Sequence, residues 1–428
     1  MLPRRRRPLK VLAATAAALA GVALASGPAT AAPPAAKGQL LVGFESSVSK
    51  ERQERVLAAV EGRLDHRLGA IRDGRLAVVT PRSGLALAVL RRRLARRPEV
   101  AYAEPDFLLS ATAATPNDPF YPTQYALGEE PSDHDIDAPE AWATATQCGK
   151  VAVLDTGVDL DHPDLEQNIH ESKDKPGDGK DNDENGYVDD SKGFNAIKGK
   201  GSGNDDNGHG THVAGIIAGR TNNDVGVSGL CWSAKVVPVK FMNQFGRGAT
   251  SDAIAGIDYA VKQGIKLINC SFGSSAKSEA LKDAVKHAKK KGVLLVVAAG
   301  NDGENIDQSP TYPASYGDPN ILTVAASTST DTLASFSNFG STDVDVAAPG
   351  DGIRSTYLGG DYKVLSGTSM AAPYVAGLAA LLRKHQSGTD YENLSKAIRN
   401  SVDKPPALAD TVATDGRINA AQALETVK

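Results

Sequence analysis

The sequence predicts an α/β protein: a doubly wound parallel sheet with helices on both faces, preceded by a small α+β module. Three features carry this expectation. From Val151 onward, short and nearly continuous apolar runs alternate with helical stretches, as parallel strands covered on both faces do. Residues 37–107 repeat a strand–helix pattern of their own. Between the two, Ser110-Ala111-Thr112-Ala113-Ala114-Thr115-Pro116-Asn117 is small, aperiodic and linker-like, the kind of segment that proteases cut.

The chain begins with a basic stretch (Arg4 to Arg7, Lys10), an apolar stretch (Val11 to Ala25) and the small-residue triplet Ala29-Thr30-Ala31. This is the pattern of a secretory signal peptide over residues 1–31, with an uncleaved anchor as the alternative. The apolar part is short for a membrane span, and the adjacent arginines leave a twin-arginine export route open. In the module that follows, Gln39–Phe44, Leu76–Thr80 and Val100–Ala103 read as strands and Ser49–Val60 and Leu85–Leu94 as helices. Two strand–helix units around a strand pair make a ferredoxin-like β-α-β-β-α-β sandwich. In the body, strands are expected at Val151–Asp155, Lys235–Phe241, Lys266–Cys270, Val293–Ala299 and Ile321–Ala325. Helices are expected near His209–Ala218, Ser251–Lys262 and Lys277–Lys291. Near the end, Gly367-Thr368-Ser369-Met370-Ala371-Ala372-Pro373 opens a run that is apolar all round, so it reads as a helix buried on every side. The expected organisation is a signal peptide (1–31), a small module (37–111) and a large domain (112–428).

At 428 residues and 41% apolar the chain has material for a sizeable core plus an appendage. Charge is uneven: residues 1–111 carry 19 Lys+Arg against 9 Asp+Glu, a net of +10, and the remainder 28 against 42, a net of −14. Such asymmetry suggests separately handled segments. Of the three cysteines, Cys148 and Cys231 each precede a predicted strand and meet at one sheet edge if those strands are neighbours. Cys270 lies within an apolar strand and reads as a buried thiol.

In doubly wound sheets, ligands and catalytic groups gather beyond the carboxyl ends of the strands. Asp155 ends Val-Ala-Val-Leu-Asp, and Asn301 follows the apolar run Val293–Ala299 and Gly300. His209 opens a predicted helix, and Ser369 stands at the mouth of another. Singly these are a turn aspartate, a turn asparagine, an ordinary histidine and an N-cap serine. His209 and His212 lack a third ligand, and no HExxH pattern exists, so metal is not favoured. Jointly the four residues supply what acyl transfer needs. A serine nucleophile requires a histidine base, the histidine an orienting carboxylate, and the tetrahedral oxyanion an amide donor beside the serine's own backbone N–H. Separately, Asp181-Asn182-Asp183-Glu184-Asn185-Gly186-Tyr187-Val188-Asp189 places oxygen donors at Asp181, Asp183, Asn185 and Asp189 with a central glycine, as a calcium loop does. Lys192 stands where an EF-hand has glutamate, and the alternative is a solvated acidic insertion.

The segments Val153–Gly157, His209–Gly215, Ala299–Asn301 and Gly367–Pro373 resemble the motifs of the subtilisin-like serine proteases (subtilases), in that family's order Asp, His, Ser. The α/β-hydrolase GxSxG elbow is absent, because Ala371 replaces its second glycine. The resemblance implies a serine endopeptidase with Asp155, His209 and Ser369 as triad and Asn301 in the oxyanion hole. It extends to residues 37–107, which resemble an inhibitor-type propeptide, including Ala101–Asp106, with a processing cut near Ala111–Ala114. It also implies a cleft in which the substrate adds as a strand between Gly246-Arg247-Gly248 and Ser271-Phe272-Gly273. Thr311 stands where the family often has glycine on the S1 floor, which implies medium apolar P1 residues over tryptophan. A structural calcium site is implied at Asp118, Asp164, Asn223 and the carbonyls of Val225 and Val227. The expected partners are polypeptide substrates and the chain's own propeptide, with no nucleic acid, no membrane and a monomeric, secreted, extracellular enzyme. The alternatives are a catalytically silent binding protein on the same fold and a processing protease of narrow specificity. The latter is marked by acidic residues lining S1, none of which the sequence places there.

Overall fold

The computed structural model describes residues 35–69, 71–82, 84–107, 115–128 and 134–427, in two compact units that divide between Leu109 and Ser110. The signal segment and the processing cut near Ala111–Ala114 lie outside the described residues.

The first unit runs β1 (Ala35–Phe44), α1 (Lys50–Ala59), β2 (Gly62–Arg67), β3 (Leu76–Pro81), α2 (Leu87–Leu94), β4 (Val100–Phe107). Its strands form one antiparallel sheet in the order β2-β3-β1-β4. Ser49, expected as the first helical residue, is instead the N-cap of α1, its hydroxyl accepting from the Arg52 N–H at 3.3 Å. Leu40, Val42, Val56, Leu57, Val79, Leu90 and Leu94 form its core. β2 was not among the strands expected individually. Its Gly-Arg-Leu-Asp-His-Arg sequence lies at a sheet edge with most side chains in water, so no apolar run marks it.

The second unit is built on a nine-stranded sheet. In chain order its elements are α3 (Ala138–Trp142), β5 (Lys150–Asp155), β6 (Phe194–Asn195), α4 (His209–Ala218), β7 (Lys235–Lys240), α5 (Thr250–Lys262), β8 (Leu267–Cys270), α6 (Glu279–Lys290), β9 (Leu294–Ala298), β10 (Ile321–Ser327), β11 (Val346–Pro349), β12 (Ile353–Thr356), β13 (Tyr362–Leu365), α7 (Thr368–His385), α8 (Tyr391–Asn400), β14 (Val402–Asp403), β15 (Arg417–Ile418) and α9 (Ala420–Thr426). The sheet order is β14-β15-β11-β10-β9-β8-β5-β7-β6, parallel except for the β14–β15 pair, while β12 and β13 form a separate hairpin. Alternation along each strand divides two cores. Val151 and Val153 of β5 face the cluster containing α4 and α7, and Ala152 and Leu154 face the one containing α5 and α6. Both faces are therefore covered, which is why the strands carry no polar side.

Helix α7 is buried from Met370 to Leu382, as its all-round apolar sequence requires. Cys148 and Cys231 form a disulfide (Cα–Cα 5.6 Å), at the start of β5 and just before β7, and Cys270 is a buried free thiol. Among the described residues, no helix is long and apolar enough to cross a membrane.

Candidate active site

The sheet order reverses around β5, which lies between β7 and β8, so a crevice opens at the carboxyl end of β5. Asp155 is the last residue of that strand and is fully buried. Its Oδ1 accepts the Thr156 N–H at 2.7 Å and lies 2.8 Å from His209 Nδ1. Lys240, at the end of β7, fixes the turn after Asp155 by donating to the Thr156 carbonyl at 2.7 Å, while pairing with Asp206.

His209 begins α4. The helix sits tightly on the end of β5: a Cβ at Gly210 would lie 2.0 Å from the Gly157 carbonyl, so only glycine fits. Asp205 anchors the helix start, its Oδ2 accepting from Gly208 N (3.1 Å), Thr211 N (3.0 Å) and Thr211 Oγ1 (2.6 Å). A carboxylate there complements the positive end of the helix. Sequence reasoning missed Asp205, although the Asp-Asp-Asn-Gly run before His209 is a helix-start signal. Burial works against the His209 imidazolium, but the charge and hydrogen bond of Asp155 outweigh it and raise the pKa above the ordinary histidine value. His212 is a different case: burial pushes its pKa down to about 4. Its Nε2 faces the Ile353 and Lys363 carbonyls at 3.1 and 3.0 Å, so it stays neutral and ties α4 to the β12–β13 hairpin.

Ser369 lies in the first turn of α7. Of the two readings of Ser369, cap and nucleophile, the cap does not apply: Gly367 holds the cap position and no side chain caps the helix. The Ser369 hydroxyl instead donates to the Ser271 carbonyl at 3.3 Å, rather than to His209. Pro373, four residues on, has no N–H for the Ser369 carbonyl. That carbonyl accepts from Ser271 Oγ at 2.9 Å, and Ser271 Oγ accepts from Asn269 Nδ2 at 2.9 Å. The serine is thus held from β8. Asn301 is orientated by Thr368, whose N–H and hydroxyl both meet Asn301 Oδ1, at 2.8 and 3.0 Å. With its oxygen tied, the amide leaves Nδ2 as the free end. Thr368 stood in the sequence motif, but this role arises only in the fold.

His209, Asn301 and Ser369 line one cavity of about 890 Å³, together with Gly246, Ser271, Phe272, Gly273 and Thr311. Arg247 and Gly248 line an adjoining cavity of about 410 Å³ that shares Gly246, Phe272 and Gly273. A Cβ on Gly273 would approach Thr311 Cγ2 to 2.9 Å, so the Ser271–Gly273 edge runs against Thr311. Acidic residues line this first cavity, a wider region than the S1 pocket at which the sequence placed none. Asp302 and Glu304, both exposed, are on its wall; the basic residue nearby is Arg247, which lines the adjoining cavity instead.

Asp118 and Asp164 are both buried, and among the described residues neither has an ion-pair partner. Asp118 accepts from Asn222 N, Asn223 N and Ser228 Oγ; Asp164 accepts from Val227 N and Asn223 Nδ2. Burial, reinforced by Asp118, pushes the Asp164 pKa up to about 6 against the pull of those hydrogen bonds. Two buried carboxylates without a basic side chain paired to them, held beside the 222–228 loop by its N–H groups, are hard oxygen donors of the kind a divalent ion takes. In the acidic loop the donors at Asp181, Asp183, Asn185 and Asp189 do not converge. Asp181 accepts from Asn185 N and Gly186 N, and Asp189 from Gly179 N. Asp174, Asp183 and Asp190 gather instead, each with an oxygen within 4.8 Å of the others. Asp174 folds the loop around itself by accepting from Asn182 N at 2.5 Å, Asp183 N and Asp190 N, which overrides the EF-hand register.

Comparison with known proteins agrees with this geometry. Residues 149–422 match the subtilase family, and residues 26–106 match the fervidolysin N-terminal prodomain. A thermophilic serine proteinase of Bacillus sp. (strain AK1) is 36% identical over 398 residues, covering 91% of this chain and 87% of that protein. Thermitase of Thermoactinomyces vulgaris is 38% identical over 312 residues, covering 73% of this chain and 99% of thermitase. A solved protease from Pseudoalteromonas arctica PAMC 21717 superposes with a TM-score of 0.61 at 30% identity, over 74% of this chain and 100% of that one. The chain belongs to the subtilase family: it is a serine endopeptidase with an N-terminal prodomain.

Proposed function

We propose that the chain is a secreted, calcium-stabilised endopeptidase that cuts peptide bonds with Asp155, His209 and Ser369 and matures by releasing residues 37–111 as an intramolecular inhibitor, leaving 112–428 as the mature enzyme. The observation that carries this reading is the 2.8 Å Asp155–His209 contact opening onto a cleft shared with Ser369 and Asn301. With Nδ1 donating to Asp155, Nε2 is the free base. A rotamer change turns the Ser369 hydroxyl from the Ser271 carbonyl towards it. His209 takes the hydroxyl proton as Oγ attacks the substrate carbonyl, and the oxyanion is held by Asn301 Nδ2 and the Ser369 N–H. His209 then gives the proton to the leaving amine, and water releases the acyl group by the same steps in reverse. Hydrolysis of casein by the processed protein, abolished by a serine-directed inhibitor, tests this reading; turnover that survives the inhibitor contradicts it.

Calcium would be held by Asp118, Asp164, Asn223 and the carbonyls of Val225 and Val227, after rotation of the Asn223 amide, with the Asp174–Asp183–Asp190 group as a second candidate. Its contribution is structural, joining segments that only the folded chain brings together. At an ion concentration of about 100 Kd, binding stabilises by roughly 2.7 kcal/mol. Excess chelator should therefore lower the Tm by roughly 4 °C for a domain of this size. The drop should shrink below about pH 6, because Asp164 then holds a proton that calcium must displace. An unchanged Tm at pH 8 removes calcium from the account.

Narrower specificity has one observation in its favour, the acidic wall. Asp302 and Glu304 disfavour acidic substrate residues, while Thr311 supports medium apolar P1 side chains over tryptophan. Exposed charge pairs contribute at most about 1 kcal/mol. Glu304→Gln should accordingly raise kcat/KM on P1 glutamate peptides by about fivefold or less and leave leucine peptides unchanged. Equal changes on both substrates contradict the electrostatic reading.

A further inference from the structure

The segment leaving β9 carries Asn301 through four consecutive exposed residues, 301–304; besides Thr368, which binds Gly300 and Asn301, a side chain from a distant loop holds it. Asn338 is 1% exposed. Its Oδ1 accepts the backbone N–H groups of Asp302 and Glu304, each at 3.0 Å, and its Nδ2 donates to the Ala299 carbonyl at 3.1 Å. Its own N–H donates to the Gly300 carbonyl at 2.9 Å. These four bonds straddle Asn301 without touching it. Among the described residues, every hydrogen bond of the Asn338 side chain goes to this segment, and none goes to the sheet or a helix. The task demands an amide, since a single planar group must accept twice and donate once. The flipped orientation would set its NH₂ against two N–H groups. Gly300 makes room for it: its φ is 109°, and a Cβ there would lie 2.3 Å from Asn338 Nδ2.

We propose that Asn338 is a positioning residue for the oxyanion donor. It fixes the backbone on both sides of Asn301, so that the amide whose oxygen Thr368 holds presents Nδ2 to the carbonyl under attack. The proposal rests on the oxyanion role of Asn301 given above. A misplacement of about 1 Å costs on the order of 10²-fold in rate. Such a loss falls on kcat, because the interaction is made in the transition state.

The test is a double-mutant cycle on processed enzyme, with rates divided by titrated active sites. Asn338→Ala should lower kcat by about 10- to 100-fold with KM within about twofold. Asn301→Ala alone should lower kcat by about 10²–10³-fold, the size established for the corresponding residue of subtilisin. In the double variant, Asn338→Ala should cost less than about threefold more, because the donor it positions is gone. A kcat for Asn338→Ala within twofold of wild type, or an equal loss in both backgrounds, overturns the positioning role and leaves the oxyanion reading intact. Asn301→Ala with wild-type kcat overturns the oxyanion reading, and the proposal with it. If Asn338→Ala does not fold, Asn338→Asp decides by the same criteria; it keeps the acceptor for both N–H groups and loses the donor to Ala299.

Discussion

Ser369→Ala is expected to leave the chain folded, unprocessed and inactive. Removing the nucleophile costs about 10⁶-fold in kcat, the size established for subtilisin, a relative of this chain. The fold has little to lose. The hydroxyl makes one 3.3 Å bond, to Ser271, while the backbone bond from Ser271 Oγ to the Ser369 carbonyl survives the change. The Tm of the second unit should therefore move by no more than a few degrees. If the chain releases its own prodomain, the purified variant keeps the mass of the unprocessed form, and added wild-type enzyme cuts it in trans. Spontaneous conversion of pure Ser369→Ala to the mature size would show that another nucleophile does the processing.

Asp155→Asn should cost roughly 10⁴-fold in kcat, the size established for the trypsin-type triad. The change preserves volume in a fully buried site, and the asparagine oxygen can still accept from Thr156 N. Its NH₂, however, can donate to His209 Nδ1, which places the imidazole proton on Nε2 and removes the base. The pH profile carries a second signature. In the wild type Asp155 raises the His209 pKa against burial, so activity rises with pH around a midpoint above the ordinary histidine value. Without the carboxylate, burial prevails and lowers that pKa, so the residual rising limb should move to lower pH. A limb at the wild-type position would mean that Asp155 does not set the base.

What the sequence disclosed and what it hid follow one physical line. The strands around the site were legible because burial on both faces forces unbroken apolar runs, as in Val151–Leu154 and Leu294–Ala298. Asp155, His209, Asn301 and Ser369 were legible because each stands where such a run or its helix begins or ends. The groups that orient them were not. Asp205, Thr368 and Asn338 act through hydrogen bonds to backbone or side chains that only the fold brings near, and each is an ordinary polar residue in sequence. The acidic loop misled because its EF-hand spacing presumes a turn geometry, which Asp174, lying before the motif, replaces. The single-residue reading of Ser369 as a cap fails because Gly367 takes the cap position and α7 begins at Thr368. The acidic wall at Asp302 and Glu304 was invisible, since nothing in the sequence tells which loop residues face the cleft.

The central claim is that Ser369 is a nucleophile activated by His209 and Asp155. It is tested most directly by incubating processed wild-type protein with a serine-directed fluorophosphonate and mapping the adduct by peptide mass. The account predicts one adduct per chain, on Ser369, formed at a rate that rises with pH as His209 loses its proton, and none on Ser369→Ala. Wild-type protein of mature size that takes up no label, or takes it on another residue, contradicts it.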